Sequence, residues 1–202
     1  MPTNEPSPVR ILQVSDPGPL GLAAFALTTF VLSVFNAGFL DTKALPVVFG
    51  LALFYGGIAQ IVAGILEFFK NNLFGATAFT SYGAFWMAFW YLQTQTSFAD
   101  GIDPALKAKG VGVFLLGWTI FTAYMLYAVT KVNGGLTFTF SVLLVAFVCL
   151  TIGDFTHNAT FTHFGGYFGL AAAAGAWYCS AAGVINFTAG REVLRVFPAK
   201  KN

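Results

Sequence analysis

The sequence predicts an all-α integral membrane protein: a bundle of six transmembrane helices with both termini in the cytoplasm. Three observations lead there. Of 202 residues, 57% are hydrophobic and only 9% charged, and the mean hydropathy is +0.74. A soluble domain carries about 25% charged residues, and a soluble chain this apolar would leave large apolar patches in water. Six apolar runs are each long enough to cross a hydrocarbon core, which takes about 20 helical residues. Finally, Lys and Arg are unevenly shared between alternate connections, which orients the chain.

The runs are roughly Leu20–Leu40, Ala44–Phe69, Leu73–Leu92, Val111–Thr130, Leu136–Gly153 and Gly166–Phe187. None shows the alternation of a transmembrane β-strand. A backbone in lipid must satisfy its own polar groups, so the runs read as helices. Residues 1–15 read as a flexible cytoplasmic N-tail, 16–190 as the six-helix membrane domain and 191–202 as a cytoplasmic C-tail, with Val193–Asn202 expected to be mobile. Met1–Asp16 is polar and Pro-rich and lacks the pattern of a cleavable signal. Of the connections, only Gln93–Gly110 has room for further structure; Asp100, Gly101, Asp103 and Pro104 make it turn-rich. Arg10, Lys70, Lys131, Arg191, Arg195, Lys200 and Lys201 fall on one side, against Lys43, Lys107 and Lys109 on the other. The richer side is the cytoplasm by the positive-inside rule.

Several classes drop out. With Lys+Arg 10 against Asp+Glu 8, there is no basic field for nucleic acid. Cys149 and Cys179 lie in apolar runs and read as small buried hydrophobes rather than a disulfide. Asp154, His157 and His163 cluster after the fifth run, but no HExxH or second Cys/His group completes a site, so no metal and no cofactor are expected. There is no phosphate-binding loop, and the chain does not read as an enzyme. Asn158-Ala159-Thr160 fits a glycosylation sequon.

The helices are more than an inert anchor. At 100° per residue, Phe25, Thr28, Thr29, Leu32 and Asn36 share a face of the first helix. A buried Asn36 amide needs a partner, so it either bonds to a neighbouring helix or lines a path. In the second helix Gly56, Gly57, Gln60, Gly64 and Glu67 share a face. Glu67 either faces a cavity as a proton or substrate site, or sits at headgroup level paired with Lys70. In the third, Tyr82 shares a face with Gly75, Ala78, Trp86 and Phe89. It either packs with its hydroxyl satisfied locally or narrows an opening. Phe140, Leu143, Phe147 and Leu150 form a stripe on the fifth. Ala171, Gly175, Cys179 and Gly183, with Gly165 and Gly169, mark the sixth helix for close packing within or between protomers.

These residues carry a resemblance. Asp16-Pro17-Gly18-Pro19-Leu20-Gly21-Leu22, followed by Phe25, Thr28, Thr29, Asn36 and Gly38, resembles the signature of the acetate/succinate transporter family, usually Asn-Pro-Ala/Val-Pro-Leu-Gly-Leu. The run from Phe54-Tyr55-Gly56-Gly57-Ile58-Ala59-Gln60 through Gly64 and Glu67 matches too. So does Phe74-Gly75-Ala76-Thr77-Ala78-Phe79-Thr80-Ser81-Tyr82-Gly83-Ala84-Phe85-Trp86. A weaker match runs from Gly165-Gly166-Tyr167 to Ala176-Trp177-Tyr178. Together they cover Ser15 to Gly190. Two positions depart: Asp16 stands for Asn and Gly18 for Ala or Val. An extra carboxylate there either repels anions at a mouth or caps the first helix.

The resemblance implies a six-helix protomer in the plasma membrane of a prokaryote, a homo-hexamer, and one path per protomer. Acetate and related small monocarboxylates, succinate among them, are the implied cargo, carried alone or with a proton. It also implies a narrowest point made by Phe25 and Tyr82, which carry over from their motifs, and Leu143, placed by counting back from Ile152-Gly153. Thr28, Thr29, Asn36 and Gln60 then offer neutral hydrogen bonds that hold an anion without trapping it. The alternative is a channel for small neutral solutes of the urea or amide type.

Overall fold

The structure, a computed structural model, describes residues 14–95 and 101–199. Most of the expected N-tail, residues 1–13, and the charges of Arg10, Lys200 and Lys201 lie outside these residues. Six long helices account for most of the rest: α1 (Gly18–Asn36), α2 (Thr42–Phe69), α3 (Leu73–Thr94), α4 (Pro104–Val129), α5 (Gly134–Thr156) and α6 (Ala159–Ala189). Their starts are written in short polar side chains. Asn72 accepts from the Gly75 amide, Asp103 from Ala105, Asn133 from Leu136 and Asn158 from Thr160. Each such cap satisfies an amide the helix leaves unpaired, for about 1 kcal/mol. The Asp103 cap, with Pro104 behind it, starts α4 seven residues before the apolar run does. The Asn158 cap likewise puts His163 inside α6, while Asp154 lies in the last turn of α5.

α2 is not uniform. A 3-10 turn (Thr42–Ala44) and a short α turn (Val47–Gly50) lead into a π-helical stretch, Leu51–Ala59, before regular α-helix resumes at Gln60–Phe69. The wider π turn shifts which side chains face inward. There α2 meets its neighbours through glycine. A Cβ on Gly56 would fall within 2.6 Å of the Thr28 hydroxyl, and one on Gly57 within 2.7 Å of Met87. Such close backbone approach replaces the missing hydrophobic driving force between helices in lipid.

The helices form a closed ring in chain order. α1 packs on α2, α2 on α3, α4 on α5, α5 on α6, and α6 back on α1. The α3–α4 seam brings few backbones together and is filled by rings instead: Phe85 against Trp118, Tyr82 against Phe121. The small-residue stripe of α6 serves contacts inside the protomer: Gly175 faces Thr139 of α5, and Gly183 faces Pro19 of α1. The outer surface is apolar, with Phe69 71%, Leu73 73% and Phe187 85% exposed, as a lipid-facing surface is. Five helices are long and apolar enough to cross a membrane by length and composition. α3 does not reach the same measure, because Gly75, Thr77, Thr80, Ser81, Tyr82 and Gly83 dilute its apolar run.

One expectation is corrected. The C-terminal segment is not loose through residue 199. The Asn186 side chain accepts from the Val193 and Leu194 amides and donates to the Leu194 carbonyl. The Tyr178 hydroxyl donates to the Arg195 carbonyl. Ala199 then donates to the Val132 carbonyl and Gly134 to the Phe197 carbonyl, flanking a single antiparallel bridge between Asn133 and Pro198 just before α5. The segment is fixed because polar groups of α6 and the α4–α5 turn have it as their partner.

Candidate functional site

The ring encloses two cavities. The larger, about 290 Å³, is lined by the first turns of α1, α3 and α5, by Gln60 and Glu67 of α2, and by Cys179 and Asn186 of α6. Val196 of the C-terminal segment forms part of its wall. The smaller, about 40 Å³, is lined by Thr29, Asn36, Trp86 and Leu150 among others. Along α1, α3 and α5 the first cavity takes the earlier residues and the second the later ones, so the two lie one after the other along the bundle.

Three residues line both cavities: Phe25, Tyr82 and Leu143. They come from the three helices that run in the same sense, and all are buried. The Phe25 and Tyr82 rings lie 5.8 Å apart between centroids. Phe140 and Phe121 pack on the far side of Tyr82, which fixes its ring. Its hydroxyl lies 2.9 Å from the Thr122 hydroxyl. Thr122 already donates to the Trp118 carbonyl at 2.7 Å, so Tyr82 is the donor in the pair. The tyrosine proton is therefore committed to α4 and is not free for a guest.

Each cavity holds buried polar atoms with no protein partner among the described residues. In the larger it is the Gln60 side-chain oxygen; in the smaller, the Thr29 hydroxyl and the Trp86 indole nitrogen. Gln60 is 1% exposed. A buried polar group without a partner is costly, so these atoms require water or a polar guest. An indole N–H only donates, which suits an acceptor oxygen.

Of the residues singled out in the sequence, Gln60 and Glu67 reach the larger cavity and Thr29 and Asn36 the smaller. Thr28 lines neither. Its hydroxyl donates to the Ala24 carbonyl and its body packs on Gly56. A pairing of Glu67 with Lys70 does not occur. Glu67 is 1% exposed and accepts from the Asn72 side-chain amide at 2.8 Å, while Lys70 reaches back to Asp16, also at 2.8 Å. Asn72 thus caps α3 and holds Glu67 with the same amide. The sequence reading missed Asn72 as a wall residue, although Asn three residues before Gly75 was a cap signal. It also missed the Trp86 N–H, which only the neighbouring helices aim inward. Among the described residues no group of His, Cys, Asp and Glu is placed to hold a metal ion.

Comparison with known proteins decides the family, since a family model, the GPR1/FUN34/yaaH family, matches residues 2–199. The chain belongs to that family. It is 39% identical over 184 residues to the succinate-acetate/proton symporter SatP of Escherichia coli strain K12, covering 91% of this chain and 96% of that one. It is 40% identical over 189 residues to acetate permease A of Emericella nidulans, covering 87% of this chain and 63% of that protein. A solved structure, the bacterial acetate channel SatP, superposes with a TM-score of 0.83 at 40% identity, covering 91% of this chain and 99% of that one. The chain is thus a multi-pass membrane protein of a family that contains transporters and channels.

Proposed function

We propose that this protein passes acetate and related small monocarboxylates, with succinate at the upper size limit, across the plasma membrane through a pore in each protomer. The observation that carries the reading is the pair of cavities in line, met by Phe25, Tyr82 and Leu143. A carboxylate entering hydrocarbon loses its water at large cost. On one side of an apolar neck the unpartnered Thr29 hydroxyl and Trp86 N–H can donate to the anion in place of that water, and on the other the Gln60 oxygen accepts from water or a protonated guest; among the described residues no Lys or Arg lines either cavity to trap the anion. The neck itself excludes bulk. The similarity to the succinate-acetate/proton symporter SatP and to acetate permease A supports the cargo. In this reading Gln60, Thr29 and Asn36 line the path, while Thr28 holds α1 to α2.

The finer architecture follows. All six helices span, so that both described ends of the chain lie beside the larger cavity, which faces the cytoplasm. The protomer assembles as a homo-hexamer through its apolar outer faces. Glu67, buried on the cavity wall and held by Asn72, is the residue placed to carry a proton with the anion.

A second reading has its own support. Among the described residues the larger cavity is lined by two acidic side chains, Asp16 and Glu67, and by no Lys or Arg, which suits a small neutral solute of the urea or amide type. Purified protein in liposomes decides between them. Uptake of labelled acetate without urea permeation is the expected result, and urea flux without acetate uptake would reverse it. A dependence of acetate uptake on an imposed pH gradient, lost in Glu67→Gln, marks proton coupling; full retention in that variant removes Glu67 from the role.

A further inference from the structure

The mouth of the larger cavity carries a charge arrangement that the path itself does not need. Asp16 and Glu67 both line the cavity, and a Cβ on Gly18 would sit 3.2 Å from the Asp16 carboxylate and 3.5 Å from Glu67. The two acidic groups therefore flank one short piece of backbone. A carboxylate anion arriving there meets two like charges, at separations where Coulomb repulsion is felt even in water. Lys70 offsets this. Its ammonium lies 2.8 Å from the Asp16 carboxylate, which also accepts from the Gly18 amide at 3.0 Å. The pair joins the end of α2 to the start of α1 across 54 residues of sequence. Its side chains are 32% and 59% exposed, so it adds little to stability. A second ion pair, Arg195 with Glu192, is longer at 3.9 Å and more exposed.

We propose that the Asp16–Lys70 ion pair sets the selectivity of this mouth: Lys70 cancels Asp16 and so admits anions past the acidic pair. The inference rests on the carboxylate reading above. It makes Lys70 and Asp16 specificity-determining residues that act on the approach of the substrate and leave its passage through the neck alone.

The test is labelled acetate uptake into liposomes at neutral pH, with KM and kcat measured for four proteins at low and at high salt. Lys70→Gln leaves two uncompensated carboxylates and raises KM about threefold to tenfold, with kcat unchanged. Asp16→Asn removes one negative charge from the mouth, leaving Lys70 to face Glu67 alone, and lowers KM by a similar factor. The double variant returns KM to within about twofold of the parent, because each single effect is one charge at the same place. High salt shrinks both single-variant effects, since exposed charges are screened. A double variant as impaired as Lys70→Gln would overturn the proposal, because Lys70 would then act on the anion or the fold and not through Asp16. So would an Asp16→Asn KM at or above the parent value, which decides the matter even where Lys70→Gln inserts poorly. Parent uptake with flat KM across the variants overturns the pair alone; no parent uptake overturns the carboxylate reading with it.

Discussion

Tyr82 donates its hydroxyl proton to Thr122, and Thr122 in turn to the Trp118 carbonyl. This chain of two hydrogen bonds crosses the α3–α4 seam, where few backbones meet, and it holds the ring that faces Phe25. The hydroxyl is a structural pin beneath an apolar surface.

Tyr82→Phe accordingly leaves acetate affinity within about twofold and lowers stability by roughly 0.5–1.5 kcal/mol, the range for one buried hydrogen bond. Thr122→Val leaves the buried Tyr82 hydroxyl without its acceptor and costs more, about 1–3 kcal/mol. Thermal unfolding in detergent beside uptake KM checks both. A large KM change in Tyr82→Phe with unchanged stability would put the hydroxyl on the substrate.

Gln60→Leu and Thr28→Val form a contrasting pair. Gln60 presents an unpartnered oxygen to the larger cavity. Its loss is expected to cut flux per folded protein severalfold, a neutral hydrogen bond to water or to a protonated acid in the path being worth about 0.5–1.5 kcal/mol. Thr28 packs on Gly56 away from either cavity. Its replacement therefore changes yield more than flux. Flux normalised to reconstituted protein separates them.

Gly175→Leu tests the α5–α6 contact. A Cβ at that position already falls 2.6 Å from the Thr139 hydroxyl and 3.1 Å from Phe138. Four added carbons force the helices apart, and folded yield drops sharply. Because the contact lies within one protomer, thermal stability falls together with yield. Normal stability with a smaller oligomer on size exclusion would move the stripe to an interface between protomers.

Much of this arrangement was legible in the sequence, and the reasons differ by residue. Phe25, Tyr82 and Gln60 sit in runs whose periodicity and motifs fix their faces. Thr28 and Thr29 are adjacent on α1, and periodicity alone puts both on the inner face. Only the close approach of Gly56 decides that Thr28 is packed and Thr29 open. The π stretch before Gln60 left no mark in the pattern, since a wholly apolar run looks the same whether its turns are α or π. Lys70 had Glu67 three residues away as an obvious partner. It pairs with Asp16 because Asn72 already occupies Glu67, a relation between helices that no local spacing encodes. The C-terminal segment looked mobile for the same reason: its partners Asn186 and Tyr178 lie on a helix whose polar residues seemed merely terminal.

Cys179 provides a native probe of the path. It is buried among protein but lines the larger cavity. A small methanethiosulfonate reagent is expected to slow acetate uptake, and Cys179→Ser to abolish that inhibition. Cys149, absent from both cavity walls, does not contribute. Inhibition that persists in Cys179→Ser and disappears in Cys149→Ser would show that the reagent acts elsewhere.

If Phe25, Tyr82 and Leu143 form the neck between the two cavities, as proposed, they set the size limit of what passes. The succinate-to-acetate uptake ratio, measured in liposomes for the parent, Leu143→Ala and Phe25→Ala, tests it most directly. Removing bulk from an apolar neck eases both its wetting and its size limit, so the ratio rises severalfold in each variant while acetate flux is kept or increased. An unchanged ratio in both variants, with acetate flux intact, would place the narrowest section elsewhere.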